Sequence, residues 1–199
     1  YLAGVSQRTL NQPAAATSEF NKVVRQSPTS PYCANAHLQL AEIAFATKKY
    51  TVALTNYSIV VKTFPKTESA VSAQYGSASV LYAQGNDAKA VTQLTVLLTQ
   101  HPKSENASAA KYLRGLCYSR LKQFDPAVKD LTAFLAGKVK PVEAENARYA
   151  LALCHIGTEK YAPAITALTT LLKANPKFSD ADRALYELGF AYLKTKADN

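Results

Sequence analysis

The stretch Lys111–Leu121, KYLRGLCYSRL, sets Tyr112 three residues before Gly115, and both residues come back along the chain at one fixed interval. Tyr1, Tyr75, Tyr112, Tyr149 and Tyr186 are separated by 37 residues or twice that, with Leu38 the one substitute. Gly4, Ala41, Ala78, Gly115, Ala152 and Gly189 step by 37 as well, and a second small series runs Ala16, Ala53, Ala90, Ala127 and Ala164. Independent ladders in phase over the whole chain make this a repeat protein, and the repeat unit decides the fold.

Within a unit, a small residue, a second small residue and a proline follow at steps of 12: Ala41, Ala53, Pro65, then Ala78, Ala90, Pro102, and Ala152, Ala164, Pro176. Between these marks the apolar residues keep helical spacing, as in Ala53, Tyr57, Val60, Val61 and Phe64, or Ala164, Leu168, Leu171 and Leu172. Polar or glycine residues interrupt the pattern at Lys48-Lys49, Gln84-Gly85-Asn86, Lys122-Gln123 and Glu159-Lys160. The prolines end the second segment, because the residue before a proline is pushed out of the helical region. Each unit is therefore predicted to be a pair of helices of about 12–14 residues, close to the usual length. The small ladders mark where paired helices approach to about 8–10 Å and a larger side chain would hold them apart.

Composition sets outer limits. The 199 residues are 48% hydrophobic and 19% charged, and no apolar run approaches the roughly 18 residues of a membrane span. With only 7 Gly and 9 Pro, the chain does not read as a loop-rich sandwich of short strands. It begins at Tyr1 and contains no Met, so it is expected to be an excerpt of a longer chain. Cys33, Cys117 and Cys154 form no metal-binding or disulfide framework, and Cys117 and Cys154 hold equivalent places that suit small buried residues.

No catalytic constellation is legible. His37, His101 and His155 fall in different units, and no phosphate loop or nucleophile motif occurs, so neither an enzyme nor a cofactor is expected. The net charge of +9 favours anionic partners in general. Specific nucleic-acid binding is not expected, because stacking needs aromatic and basic residues interleaved on one surface, and here they fall on different parts of the repeat. The basic positions are Lys66, Lys103, Lys140 and Lys177, again 37 apart in the connections between units. They predict a basic edge open to an anionic surface, or simply solvated lysines beside helix C-termini.

Leu185-x-x-Leu188-Gly189-x-x-Tyr192, with Ala16-x-x-x-Phe20 and Pro28 or Ala53-x-x-x-Tyr57 and Pro65, resembles the tetratricopeptide repeat signature. The resemblance covers essentially the whole chain. It implies an all-α fold, a right-handed α-solenoid with units at about 1–30, 31–67, 68–104, 105–141 and 142–178 and the first helix of a sixth at 179–199. The period departs from the usual 34 residues, and the additional ones are expected in turns such as 65–70, 102–110 and 176–181. Such turns are similar to those of bacterial envelope proteins of this family, namely outer-membrane assembly lipoproteins and the Tol-Pal-associated coordinator. A periplasmic or outer-membrane-associated setting is expected on that likeness alone.

In the family, the face of the first helices looks into a concave groove. The resemblance thus implies a partner-binding stripe at Tyr75, Tyr82, Tyr112, Leu116, Tyr149, Leu153, Tyr186 and Phe190, suited to a protein or peptide segment. The same tyrosines also serve as packing between first helices in repeats that bind nothing there. Lys and Asn of the chaperone-tail carboxylate clamp are missing from positions 75, 79, 112 and 116. A spacer or assembly role using the ends or the basic edge, and an accessory domain of a larger envelope enzyme, are the other readings.

Overall fold

The computed structural model of the protein describes residues 1–197. Among the described residues the chain is eleven α-helices and no strand: α1 Leu2–Thr9, α2 Pro13–Gln26, α3 Pro31–Ala46, α4 Tyr50–Thr63, α5 Glu68–Ala83, α6 Asp87–Gln100, α7 Ala107–Arg120, α8 Phe124–Leu135, α9 Pro141–Gly157, α10 Tyr161–Ala174 and α11 Ala181–Ala197. They group into two compact units, one over Tyr1–Asn106 and one beginning at Ala107. In each, a helix packs on the next, and odd-numbered helices also meet one another: α3 with α5 in the first unit, α7 with α9 and α9 with α11 in the second. The 37-residue helix-pair reading of the sequence is the observed architecture.

The turn inside each pair has one repeated conformation. Asn11, Lys48, Gly85, Lys122 and Glu159, 37 residues apart, all have φ between 56° and 75°. Around each, two backbone hydrogen bonds close the helix end, as in Lys122 N–H to the Ser119 carbonyl (3.0 Å) and Gln123 N–H to the Tyr118 carbonyl (2.9 Å). This is the Schellman closure, which satisfies carbonyls a helix end leaves open.

First helices are longer than the spacing predicts. The α3 and α5 helices have 16 residues and α9 has 17. The additional residues of the period thus lie partly in helix rather than wholly in turns, because strong start signals stand early. Ser30 caps α3 through the Tyr32 N–H and Thr67 caps α5 through the Ala70 N–H, while Pro31 and Pro141 occupy first helical positions.

The small ladders are the close-contact points. Ala16, Ala53, Ala90, Ala127 and Ala164 are all fully buried. A Cβ built on Gly115 would stand 2.8 Å from Cγ of Leu131 in α8, and one on Gly4 would stand 2.6 Å from the Phe20 ring in α2. Gly76 lies likewise under the buried Tyr57, whose ring atoms would come within 2.4 Å of an added Cβ. Burial pushes the Tyr57 hydroxyl pKa well above its ordinary value.

Candidate functional site

In the first unit, Tyr75 and Tyr82 lie on one face of α5, both half-buried. The corresponding face of α3 carries Leu38, Glu42 and Phe45, and Arg8 of α1 pairs with Glu42 and Gln39 there. Tyr1 at the start of the same ladder packs its ring 5.7 Å from Phe20 and 5.6 Å from Tyr32.

The second unit holds the larger part of the stripe: Tyr112 and Leu116 on α7, Tyr149 and Leu153 on α9, Tyr186 and Phe190 on α11, each pair four residues apart on one helical face. Tyr112 stacks on Phe134 of α8 at 4.7 Å between ring centres. Tyr149 meets Phe178 edge-on at 5.6 Å. Phe190 takes the edge of Tyr161 at 6.2 Å and carries Lys194 over its face. Tyr186 is 72% exposed, whereas Tyr112, Leu116, Tyr149 and Leu153 are half-buried. Each inner ring is thus braced from behind while part of it stays accessible. The Phe134 and Phe178 supports were missed by sequence reasoning, although Phe134 had its signal in the apolar series Val23, Val60, Leu97 and Leu171 at the same 37-residue interval.

Burial raises the Tyr149 hydroxyl pKa, and Glu187 and Asp180 raise it further. At neutral pH that group is a protonated hydroxyl able to donate to a carbonyl.

Lys66 and Lys103 are exposed in the connections after α4 and α6 of the first unit. Lys177 is exposed in the second unit, its backbone N–H bonded to the Asn175 side chain at 3.0 Å. Lys140 differs in role, being the N-cap residue of α9, because its proline sits at the start of that helix rather than just after the preceding one. Cys33, Cys117 and Cys154 are buried thiols.

Between the two members of a helix pair, both units carry a polar contact with no counterpart in the sequence reading. His37 Nδ1 lies 2.8 Å from Asn56 Oδ1 in the first unit. Arg114 Nε and Nη2 donate to the two Asp130 oxygens at 2.7 and 2.9 Å in the second. Asn56 and Asp130 are two periods apart.

The family described as tetratricopeptide repeat-like domain matches residues 2–136, and the tetratricopeptide repeat family matches residues 149–198. No curated protein matches the sequence. Among solved structures, a tetratricopeptide repeat protein from Parabacteroides merdae superposes with a TM-score of 0.76 at 21% identity, over 98% of this chain and 72% of that one. YrrB, described as a tetratricopeptide repeat protein with an unusual peptide-binding site, gives 0.73 at 16% identity over 92% of this chain and 88% of its own. MamA gives 0.71 at 18% identity over 89% of this chain and 96% of its own. At these identities the likeness is one of fold, the α-solenoid. Among the described residues no helix is long and apolar enough to cross a membrane.

Proposed function

As the chain belongs to the tetratricopeptide repeat family, we propose that it is a non-catalytic scaffold that holds a peptide or protein segment along the first-helix face of its repeats, within a bacterial envelope complex. The observation that carries the reading is the braced aromatic face of the second unit. With Tyr112 stacked on Phe134 and Tyr149 held against Phe178, the rings are ordered before any partner arrives. A partner then loses little of its binding energy to ordering side chains. Tyrosines combine large apolar area with a hydroxyl for main-chain groups, the combination that favours peptide capture. The envelope setting rests on the likeness of the connections at 65–70, 102–110 and 176–181 to those of envelope proteins.

Site-specific photo-crosslinking tests the proposal in the native source. A photoreactive phenylalanine at Tyr112, Tyr149 or Tyr186 is expected to capture one and the same partner. The same group at Lys129 or Thr166, exposed on second helices, is expected to capture none. Adducts formed only from the second-helix positions would overturn the assignment. A partner recovered from the cytoplasm alone would overturn the envelope setting.

A further inference from the structure

In the second unit, α8, α9 and α10 enclose a groove of about 340 Å³ walled by Leu135, Leu151, Pro163 and Ala167, to which Arg148 of α9 brings the one charge. Arg148 is half-buried. Among the described residues its guanidinium has no ion pair and no hydrogen bond, not even with Glu145 one turn earlier on α9. A half-buried cation without a counterion loses hydration with no compensating contact.

The repeat shows what is missing. Three periods earlier, the places of Arg148 and Ala167 hold His37 and Asn56, joined at 2.8 Å. Two periods earlier they hold Gln74 and Gln93, which line the equivalent groove of the first unit. One period earlier they hold Lys111 and Asp130. In all three the first helix supplies a polar side chain and the second a group able to accept a hydrogen bond. Around Arg148 the donor is kept and the acceptor is gone, because its place is taken by Ala167, and the groove lies open over that small residue. Thr166 and Thr170, also on the groove, donate their hydroxyls to the Ala162 and Thr166 carbonyls at 3.1 and 2.7 Å. An anion entering here is therefore drawn to Arg148 alone.

We propose that this groove binds a small aliphatic carboxylate. Its carboxylate pairs with Arg148, in the place that the Asp130 side chain fills one period earlier, and its hydrocarbon chain lies against Leu135, Leu151 and Pro163. The planar guanidinium grips a carboxylate through two parallel hydrogen bonds, as Arg114 grips Asp130. The apolar walls give the chain its contact area. The site is separate from the aromatic stripe, where Tyr149 meets Phe178, and stands whether or not that stripe holds a peptide.

Amide chemical-shift mapping of the isotope-labelled protein, titrated with sodium hexanoate to about 10 mM, reads the site directly. The expected result is saturable shifts confined to residues of α8, α9 and α10 around Arg148, with a dissociation constant on the order of 1 mM. Affinity should fall about twofold for each methylene removed, down to acetate. Hexanol, which lacks the charge, should bind at least about tenfold more weakly. Arg148→Gln should lose about tenfold as well, and so should Ala167→Asp, which supplies the carboxylate from the chain itself, both with the parent's helicity by circular dichroism. Absence of saturable shifts, equal binding of hexanol, or undiminished hexanoate binding in either variant would overturn the proposal. So would a blocked peptide, with a glutamate side chain as its only carboxylate, that binds about tenfold more tightly than hexanoate, since the groove would then belong to a protein partner.

Discussion

Arg114 grips Asp130 with two parallel hydrogen bonds, 2.7 and 2.9 Å long, across the α7–α8 pair, and the carboxylate is almost wholly buried. One period later the same two positions are Leu151 and Ala167, both apolar. The fold thus accepts either solution at this place, provided that both partners change together. Arg114→Leu leaves a buried carboxylate without its cation and should cost about 3 kcal/mol. The double variant Arg114→Leu/Asp130→Ala copies the neighbouring repeat and should return to within about 1 kcal/mol of the parent. Urea unfolding of the three proteins decides it. A double variant no more stable than Arg114→Leu would show that the pair has a role beyond neutralising itself.

The five left-handed turn positions give a second expectation. Four of them, Asn11, Lys48, Lys122 and Glu159, bear a side chain at positive φ, and only Gly85 does not. Left-handed backbone costs an L residue roughly 1 kcal/mol, least for Asn. Lys48→Gly and Lys122→Gly remove exposed side chains and relieve that strain, so each should raise the unfolding free energy by up to about 1 kcal/mol. Gly85→Lys should lower it by a similar amount. Thermal melts of the three single variants test the set. A loss of stability in both lysine variants would contradict it.

These turns also show how far the sequence could be read. The helix pairs and close-contact positions were legible because packing at a fixed interval writes itself into residue size: Gly115 under Leu131 and Ala127 at the pair's centre must be small. The turn conformation was legible only at Gly85, since lysine and glutamate betray no positive φ in their chemistry. Contacts that do not repeat were hidden altogether. Arg114 and Asp130 are 16 residues apart with different residues at the equivalent places, and Phe178 stands in a connection where no ladder predicts an aromatic. The stripe positions followed from the period, but the bracing of Tyr149 depends on Phe178, an unrepeated partner.

His155 makes stability depend on pH. Its Nδ1 is buried without a hydrogen-bond partner, and burial, with Lys160 as the lesser cause, holds its pKa below the ordinary value. The folded state therefore takes up a proton less readily than the unfolded chain, whose histidine titrates near 6.5. This contribution is fully present above that pH and is lost as pH falls from there through the depressed folded value. Unfolding midpoints should decline between pH 7.5 and 5.5 in the parent, and less so in His155→Gln. Equal slopes in the two proteins would assign the decline to other groups.

Gly115 and Gly189 occupy the same rung of one ladder yet should answer oppositely to the same substitution. A Cβ on Gly115 would come within 2.8 Å of Leu131 Cγ and 3.4 Å of Asp130 Cβ, both on the facing helix. Gly115→Ala forces α8 to shift, and Gly115→Leu should overpack the pair by about 1–3 kcal/mol. At Gly189 an added methyl meets only open space, and exchanging glycine for alanine inside a helix is worth up to about 1 kcal/mol in favour of alanine. Gly189→Ala should therefore stabilise the chain of 199 residues, measured by chemical unfolding, while Gly115→Ala destabilises it. If both substitutions stabilised the protein, helix propensity would outweigh contact at Gly115, and the close approach of α7 and α8 would not be what selects a small residue there.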